Sequence, residues 1–367
     1  MTIHTVLSQV HQTHQSMHPP QLAEPILVYG AGSKGKQVAT FLLAQGYDVI
    51  GMADTTAKEH QIWNNLPIRP LTDWHKERSL RGTTLVVAIH NYHVDMTKLL
   101  QELSHIGASR VINPVEFQMM FHEHFPSAYW LSGPDVYQEQ QGNIEAVFSL
   151  LADERSRDLL CRIVEFRLTG HYAALPKASP EDQYCPADLP RWSEPLRIID
   201  AGAFDGDTLR SLKRQGYAFE QIAAFEPDPE NFTRLSRCVE ALGGGICLPC
   251  GLAQSSRQAH FDAAGTGSSR ISDLGTQMIQ CVSIDEALPS YRPTLIKMDI
   301  EGAEPDALQG AAKTIATTRP ALAISIYHDP AHLWQLPLLI HSWQLDYRFH
   351  LRMHGESSFD TVLYALP

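Results

Sequence analysis

Apolar residues in this chain fall into two kinds of run. Blocks such as "ILVYG", "LVVAI" and "LAISIY" are apolar at nearly every position, as strands are when both faces of a sheet are covered. Blocks such as "KQVATFLLAQG" and "MTKLLQELSHIG" carry apolar residues three and four apart and stop at Gly46 and Gly107, the pattern of amphipathic helices. The two kinds alternate. From Pro25 the order is strand, glycine turn, helix, the strand "DVIGMAD", the strand "GTTLVVAIHN", a helix and the strand "SRVINP". This alternation predicts a parallel, doubly wound sheet, and residues 21–120 are expected to form one α/β Rossmann-like domain. Residues 1–20 precede it as an arm.

Between residues 121 and 195 the pattern changes. "NIEAVFSLLADERSRDLLCRIVEFRLTG" has Leu150, Leu151, Leu159, Leu160, Ile163 and Val164 at helical spacings, whereas "PKASPEDQYCPADLPRWSEP" is proline-rich and irregular. A helical connection is expected here. Residues 196–367 return to alternation, with strands "RIIDAGA", "IAAFEPD", "GICLPCGLA", "TLIKMDIE", "ALAISIYH", "YRFHLRMH" and "DTVLYAL". Only "GESSF" separates the last two, which predicts an antiparallel hairpin closing an otherwise parallel sheet. The expected fold is therefore α/β with two doubly wound Rossmann-like domains.

Composition narrows the partners. The 367 residues suit two domains, and 44% hydrophobic residues can fill two cores. A net charge of −12 without a long Lys/Arg run argues against nucleic acid. No apolar stretch approaches the roughly 18 residues of a membrane span. Residues 1–20 lack the basic and apolar regions of a signal peptide, and six scattered cysteines fit a reducing compartment, so a cytoplasmic location is expected. Cys247 and Cys250 have redox-motif spacing but lie in a strand pattern and are expected to be structural.

Two glycine turns invite different ligands. Gly30, Gly32 and Gly35 form a GxGxxG between strand and helix, where a phosphate can approach the helix N-terminus. Asp54 ends the next strand roughly 20 residues on, the spacing of a ribose-binding acid. These four residues are the candidates for a nucleotide or sugar-nucleotide site, with Lys34 adding positive charge; the alternative is a turn kept for packing. The second turn, Asp200, Gly202, Ala203, Phe204, Asp205, Gly206, Asp207 and Thr208, is acidic. It would repel a pyrophosphate and attract a sulfonium with an ammonium group, as in S-adenosylmethionine. Glu226, followed by Pro227 and Asp228, again lies roughly 20 residues on and suits a ribose diol.

A third feature is "LIKMDIEGAEPDAL", an apolar strand that ends in Lys297, Asp299, Glu301 and Glu304. Acids this dense at the end of a buried strand resist desolvation and point to chemistry. The alternative makes Glu304 a helix cap and pairs Lys297 with Glu301. His328, ending "AISIYH", is a second base candidate because imidazole titrates near neutral pH. His354 and Asp360 are further candidates for an acceptor pocket.

The blocks "IIDAGAFDGDT", "AFEPDPENF", "VSIDEAL" and "LIKMDIEGAEPDALQGA" resemble, in order and spacing, those of the FkbM-type methyltransferases. The resemblance covers residues 196–367 and implies a class I methyltransferase fold, S-adenosylmethionine as cofactor and methyl transfer to a hydroxyl of a carbohydrate or sugar-bearing metabolite. Residues 21–120 are similar to sugar-nucleotide-binding-like domains. On this reading Asp299 is a base or metal ligand and Glu301 and Glu304 shape the acceptor site. The expectation favours His328 as the general base without a metal. Many family members carry a carboxylate near the end of that strand, where this chain has Ser325, Tyr327 and His328. The acceptor is expected to be a small molecule or glycan, and a homo-oligomer is open. The rival readings are an NAD(P)-dependent oxidoreductase built on the first turn and a non-catalytic sugar-nucleotide module; no Tyr-x-x-x-Lys pair follows the first domain to serve the former.

Overall fold

The computed structural model describes residues 3–7, 22, 25–57, 61–77, 80–262, 270–271 and 275–367. Residues 3–7 are helical, with Ile3, Val6 and Leu7 buried; most of the expected N-terminal arm lies outside the described residues. The chain divides into two compact units. One comprises Met1–Gln141, Leu159–Ala178 and Gly355–Phe359; the other comprises Gly142–Asp158, Ser179–His354 and Asp360–Pro367. The segment expected as a connection, residues 121–195, thus contributes to both.

The first unit holds a six-stranded sheet of β1 (Ile26–Tyr29), β2 (Val49–Ala53), β3 (Gln61–Trp63), β4 (Leu66–Arg69), β5 (Thr84–Val87) and β6 (Arg110–Ile112). The order is β3-β4-β2-β1-β5-β6, all parallel except the β3–β4 pair. The chain winds outward from β1 in both directions, so a topological switch point lies between β1 and β5. The β3–β4 hairpin was not foreseen. Its turn residues Asn64 and Asn65 both take positive φ, as a two-residue hairpin turn demands. Apolar residues of both sheet faces are covered, and Ile26, Leu27, Leu42 and Met52 lie among the largest fully buried side chains.

The second unit holds β7 (Leu196–Ala201), β8 (Phe219–Phe225) and β9 (Ile246–Leu248). A small sheet follows, with β10 (Gly251–Leu252), β11 (Arg257–Asp262), β12 (Arg270–Ile271) and β13 (Gln277–Val282). The chain then returns through β14 (Leu295–Met298), β15 (Ala321–Ser325), β16 (Arg348–Met353) and β17 (Thr361–Leu366). The large sheet has the order β16-β17-β15-β14-β7-β8-β9 and is parallel up to β15, with β17 antiparallel to both β15 and β16. The expected closing hairpin is present. "GICLPCGLA" divides between β9 of the large sheet and β10 of the small one. Burial raises the thiol pKa values of Cys247 and Cys250, the opposite of an activated redox pair.

Part of the former connection is tied to β16. Ala152 N–H donates to Phe349 O at 2.8 Å. Arg352, only 3% exposed, reaches Asp153 Oδ2 and Asp188 Oδ2 at 2.8 Å each. A guanidinium buried this deeply needs such paired carboxylates to offset its desolvation.

Candidate active site

The carboxyl ends of β7, β8, β14 and β15 bring the acidic residues of the second unit together. Gly202, leaving β7, has φ +71°, and a Cβ there would stand 1.9 Å from Asp299 O. Only glycine lets these two strand ends approach so closely. Gly206, at φ +87°, caps the helix Asp207–Arg214, and a Cβ there would meet Cys238 Sγ at 2.6 Å. Between the glycines, Phe204 also takes positive φ.

Glu226, at the end of β8, spans this turn. Its Oε2 accepts from Phe204 N–H at 2.9 Å and its Oε1 from Asp228 N–H at 2.9 Å. Burial lifts its pKa to about 7, against the pull of these two N–H groups. The other expected cofactor residues are more occupied. Gly202 and Ala203 N–H both donate to Phe225 O. Asp228, beyond Pro227, caps the helix Pro229–Ala241 by accepting from Glu230 and Asn231 N–H. Asp205 pairs with Arg210 at 2.6 Å, while Asp207 and Thr208 open their helix.

Beneath the turn, Lys297 faces Asp200 across the β14–β7 ladder, with Nζ 3.0 Å from Oδ1 and 2.6 Å from Gly202 O. Burial lifts the Asp200 carboxyl to about 6 in spite of this lysine. The partner of Lys297 is therefore Asp200, and the alternative pairing with Glu301 is corrected. Glu304 is also not the helix cap. It is the first residue of the helix Glu304–Gln309, after the N-cap Ala303, and its buried carboxylate accepts from Ile300 and Gly302 N–H. The intervening Glu301 has φ +54°.

Around His328 three acids converge. Nδ1 is 2.8 Å from Glu304 Oε1, and Nε2 is 3.3 Å from Asp299 Oδ1 and 3.8 Å from Glu301 Oε2. Burial alone would push the imidazole pKa down, but these carboxylates outweigh it and raise it to about 10. Glu304 moves the other way. Burial opposes its ionisation, yet His328 and His332 hold it at about 2. Asp299, Glu304 and His328 also offer ligand atoms within 4.8 Å of one another, a donor set that suits a divalent cation.

Sequence reasoning missed Tyr184. Its hydroxyl donates to Asp299 Oδ2 at 2.6 Å and lies 3.4 Å from Ser325 Oγ. His354 supports it from behind. Nδ1 of His354 faces Ser179 O at 2.8 Å, so it carries the proton; Nε2 then accepts from Tyr364 OH at 2.8 Å, and the Tyr364 oxygen accepts from Tyr184 N–H at 3.0 Å. Asp360 is raised to about 7 by burial and by Asp299.

The first unit repeats one device. Asp54, ending β2, accepts from Ala31 N–H at 2.7 Å and from both Thr56 donors. Gly30 has φ +100°, and a Cβ on Gly35 would stand 1.8 Å from Gly30 O, so backbone conformation at the one and close packing at the other require glycine. Gly32 has open space around it.

Residues 200–351 match the family model of the methyltransferase FkbM domain. The hexuronic acid methyltransferase AglP of Haloferax volcanii is 34% identical over 101 residues, which are 26% of this chain and 42% of that protein, so the match spans less than half of that relative. The crystal structure of methyltransferase FkbM from Methylobacillus flagellatus KT shares the fold, with a TM-score of 0.82 at 21% identity and 99% of each chain covered. No helix among the described residues is long and apolar enough to cross a membrane.

Proposed function

We propose that this chain, which carries a methyltransferase FkbM domain over residues 200–351, is an S-adenosylmethionine-dependent O-methyltransferase acting on a carbohydrate or sugar-bearing metabolite. One observation carries the reading. A ribose-suited acid, Glu226, and a candidate proton acceptor, Asp299, stand at the carboxyl edge of the parallel part of one sheet, with the Gly202 turn between them. The cofactor's chemistry fits the residues present. Asp200, Asp205, Asp207, Glu226, Asp299 and Glu301 make an edge that favours a cation and disfavours a pyrophosphate. When bound, the cofactor supplies a methyl group activated on a sulfonium.

The chain's own residues do the rest. Glu226 would accept from the ribose hydroxyls, and the glycine turn would let the ligand approach the backbone. A sugar hydroxyl must lose its proton as it attacks, which calls for a positioned acceptor. The expected base, His328, is poorly suited, because an imidazolium flanked by three carboxylates has no lone pair to offer. Asp299 is the better acceptor. Tyr184 fixes its Oδ2 and leaves Oδ1 on the His328 side. His328 then balances the charge that Asp299, Glu301 and Glu304 gather.

The hexuronic acid named for the Haloferax relative supports the acceptor class. A uronate offers hydroxyl and carboxylate oxygens alike. Transfer of labelled methyl from S-adenosylmethionine to a panel of neutral sugars and uronates tests the reading. Alkali-stable label on an acceptor supports an ether and hence a hydroxyl target; alkali-labile label places transfer on a carboxylate. Label on neither class overturns it.

A further inference from the structure

The first unit contains buried donors that the methyl-transfer reading does not use. They gather at its own topological switch point. The loops leaving β1 and β5 touch there, since a Cβ on Gly30 would stand 3.0 Å from the Ile89 side chain. Ligands of open α/β sheets bind in this crevice.

Lys34 lies in the first turn of the helix Ser33–Ala44 that follows the glycine turn. Its Nζ is buried with no hydrogen-bond partner among the described residues and rests 4.6 Å from the Phe125 ring centroid. Burial lowers its pKa to about 8. His90 follows β5. Its Nε2 is likewise buried without a hydrogen-bond partner among the described residues, and its ring lies 5.0 Å from Trp130 and 4.7 Å from Phe359. Lys34 and Arg167 are the charges that act on it. Arg167 is 3% exposed, donates to Ser358 Oγ at 3.2 Å and lies 5.2 Å over the Trp130 ring. Trp130 Nε1, on a side chain 1% exposed, has no acceptor among the described residues.

Two cations and two neutral N–H-bearing rings are thus collected where a helix begins. The nearest acid of the turn, Asp54, is spent on Ala31 and Thr56. Neutral aromatic faces compensate a buried ammonium only in part. A phosphoryl group would complete the Lys34, His90 and Trp130 donors, with Arg167 adding charge beside them, and is favoured at a helix N-terminus. We infer that the switch point of the first unit is a phosphoryl-binding site, with Lys34 and Arg167 supplying charge, His90 and Trp130 supplying neutral donors, and Gly32 leaving the approach to the helix open.

The inference is independent of the methyl-transfer reading and has its own test. Calorimetry and melting curves of the full chain would be run with inorganic pyrophosphate, with UDP, and with potassium chloride at matched ionic strength. Pyrophosphate or UDP should bind saturably and raise the melting temperature where the chloride does not. UDP binding tighter than pyrophosphate by about tenfold identifies a nucleotide as the source; equal binding identifies the phosphate alone. Lys34→Met should weaken binding by about tenfold to a hundredfold and, by removing a buried unpaired cation, should raise the melting temperature of the unliganded protein. Gly32→Val, whose Cβ would meet nothing within 4 Å among the described residues, should block the ligand and leave the fold unchanged. No saturable binding of either phosphate compound, or binding untouched by both variants, overturns the site.

Discussion

His328 Nδ1 stands 2.8 Å from Glu304 Oε1, and both side chains are almost wholly removed from solvent. Each holds the other in its charged form. The histidine is raised from 6.5 to about 10, so its contribution to stability is complete below pH 6.5 and is lost as pH rises through 10. The glutamate is lowered from 4.5 to about 2, so its contribution is complete above pH 4.5 and is lost as pH falls through 2.

His328→Gln should therefore cost roughly 3–5 kcal/mol at pH 6, because it strands a buried carboxylate. The penalty should shrink towards pH 10, where the wild-type imidazole also sheds its proton. Urea denaturation of both proteins across this range measures it. An equal penalty at both ends would mean that the imidazole is neutral throughout.

Asp299→Asn should reduce turnover by roughly 10²–10⁴-fold, the usual contribution of a positioned proton acceptor. Cofactor affinity, measured by calorimetry, should fall far less than turnover, because the other acids of the edge remain. Chelator should leave the wild-type rate unaltered. If EDTA abolished turnover and Mg²⁺ restored it, Asp299, Glu304 and His328 would instead be the ligands of a metal.

Glu226 gives the cofactor site a pH dependence. Its carboxyl, raised to about 7, is protonated on the acid side and then loses acceptor capacity for the ribose and attraction for the cation. S-Adenosylmethionine should bind about tenfold more weakly at pH 6 than at pH 8. Glu226→Gln should bind weakly at both and show no such limb.

Gly202→Ala and Gly216→Ala separate backbone strain from collision. Both glycines have positive φ, but a Cβ at Gly216 meets nothing within 4 Å, whereas one at Gly202 stands 1.9 Å from Asp299 O. Alanine at 216 should cost about 1–2 kcal/mol. Alanine at 202 should cost clearly more and disturb the Asp299 turn, as thermal denaturation and turnover of the two variants would reveal.

The strand ends of the site were legible because short apolar runs, residues 198–199 in β7, 222–225 in β8, 295–296 in β14 and 321–324 in β15, lead into Asp200, Glu226, Lys297 with Asp299, and Ser325. Burial on both faces writes itself into sequence as an unbroken run. Tyr184 was not legible. It lies in a proline-rich stretch without periodicity, and its bond to Asp299 joins residues 115 positions apart. The surroundings of His328 were not legible for a related reason. Imidazole alone suggests a base, but its protonation here depends on carboxylates carried by another loop and helix. The β3–β4 hairpin escaped because Gln61 and Ile62 are exposed and leave no apolar alternation, although Asn64-Asn65 was a turn signal.

The passage of the chain between its two units limits how this protein can be cut and recombined. Residues Gly142–Asp158 belong with the second unit although they precede Leu159–Ala178 of the first, and Gly355–Phe359 returns to the first unit from between β16 and β17. A gene fragment beginning at residue 196 would leave Arg352 without Asp153 and Asp188, exposing a buried cation to no counter-charge. Fusion, truncation or exchange of either half at a single junction would therefore split a core or strand an ion.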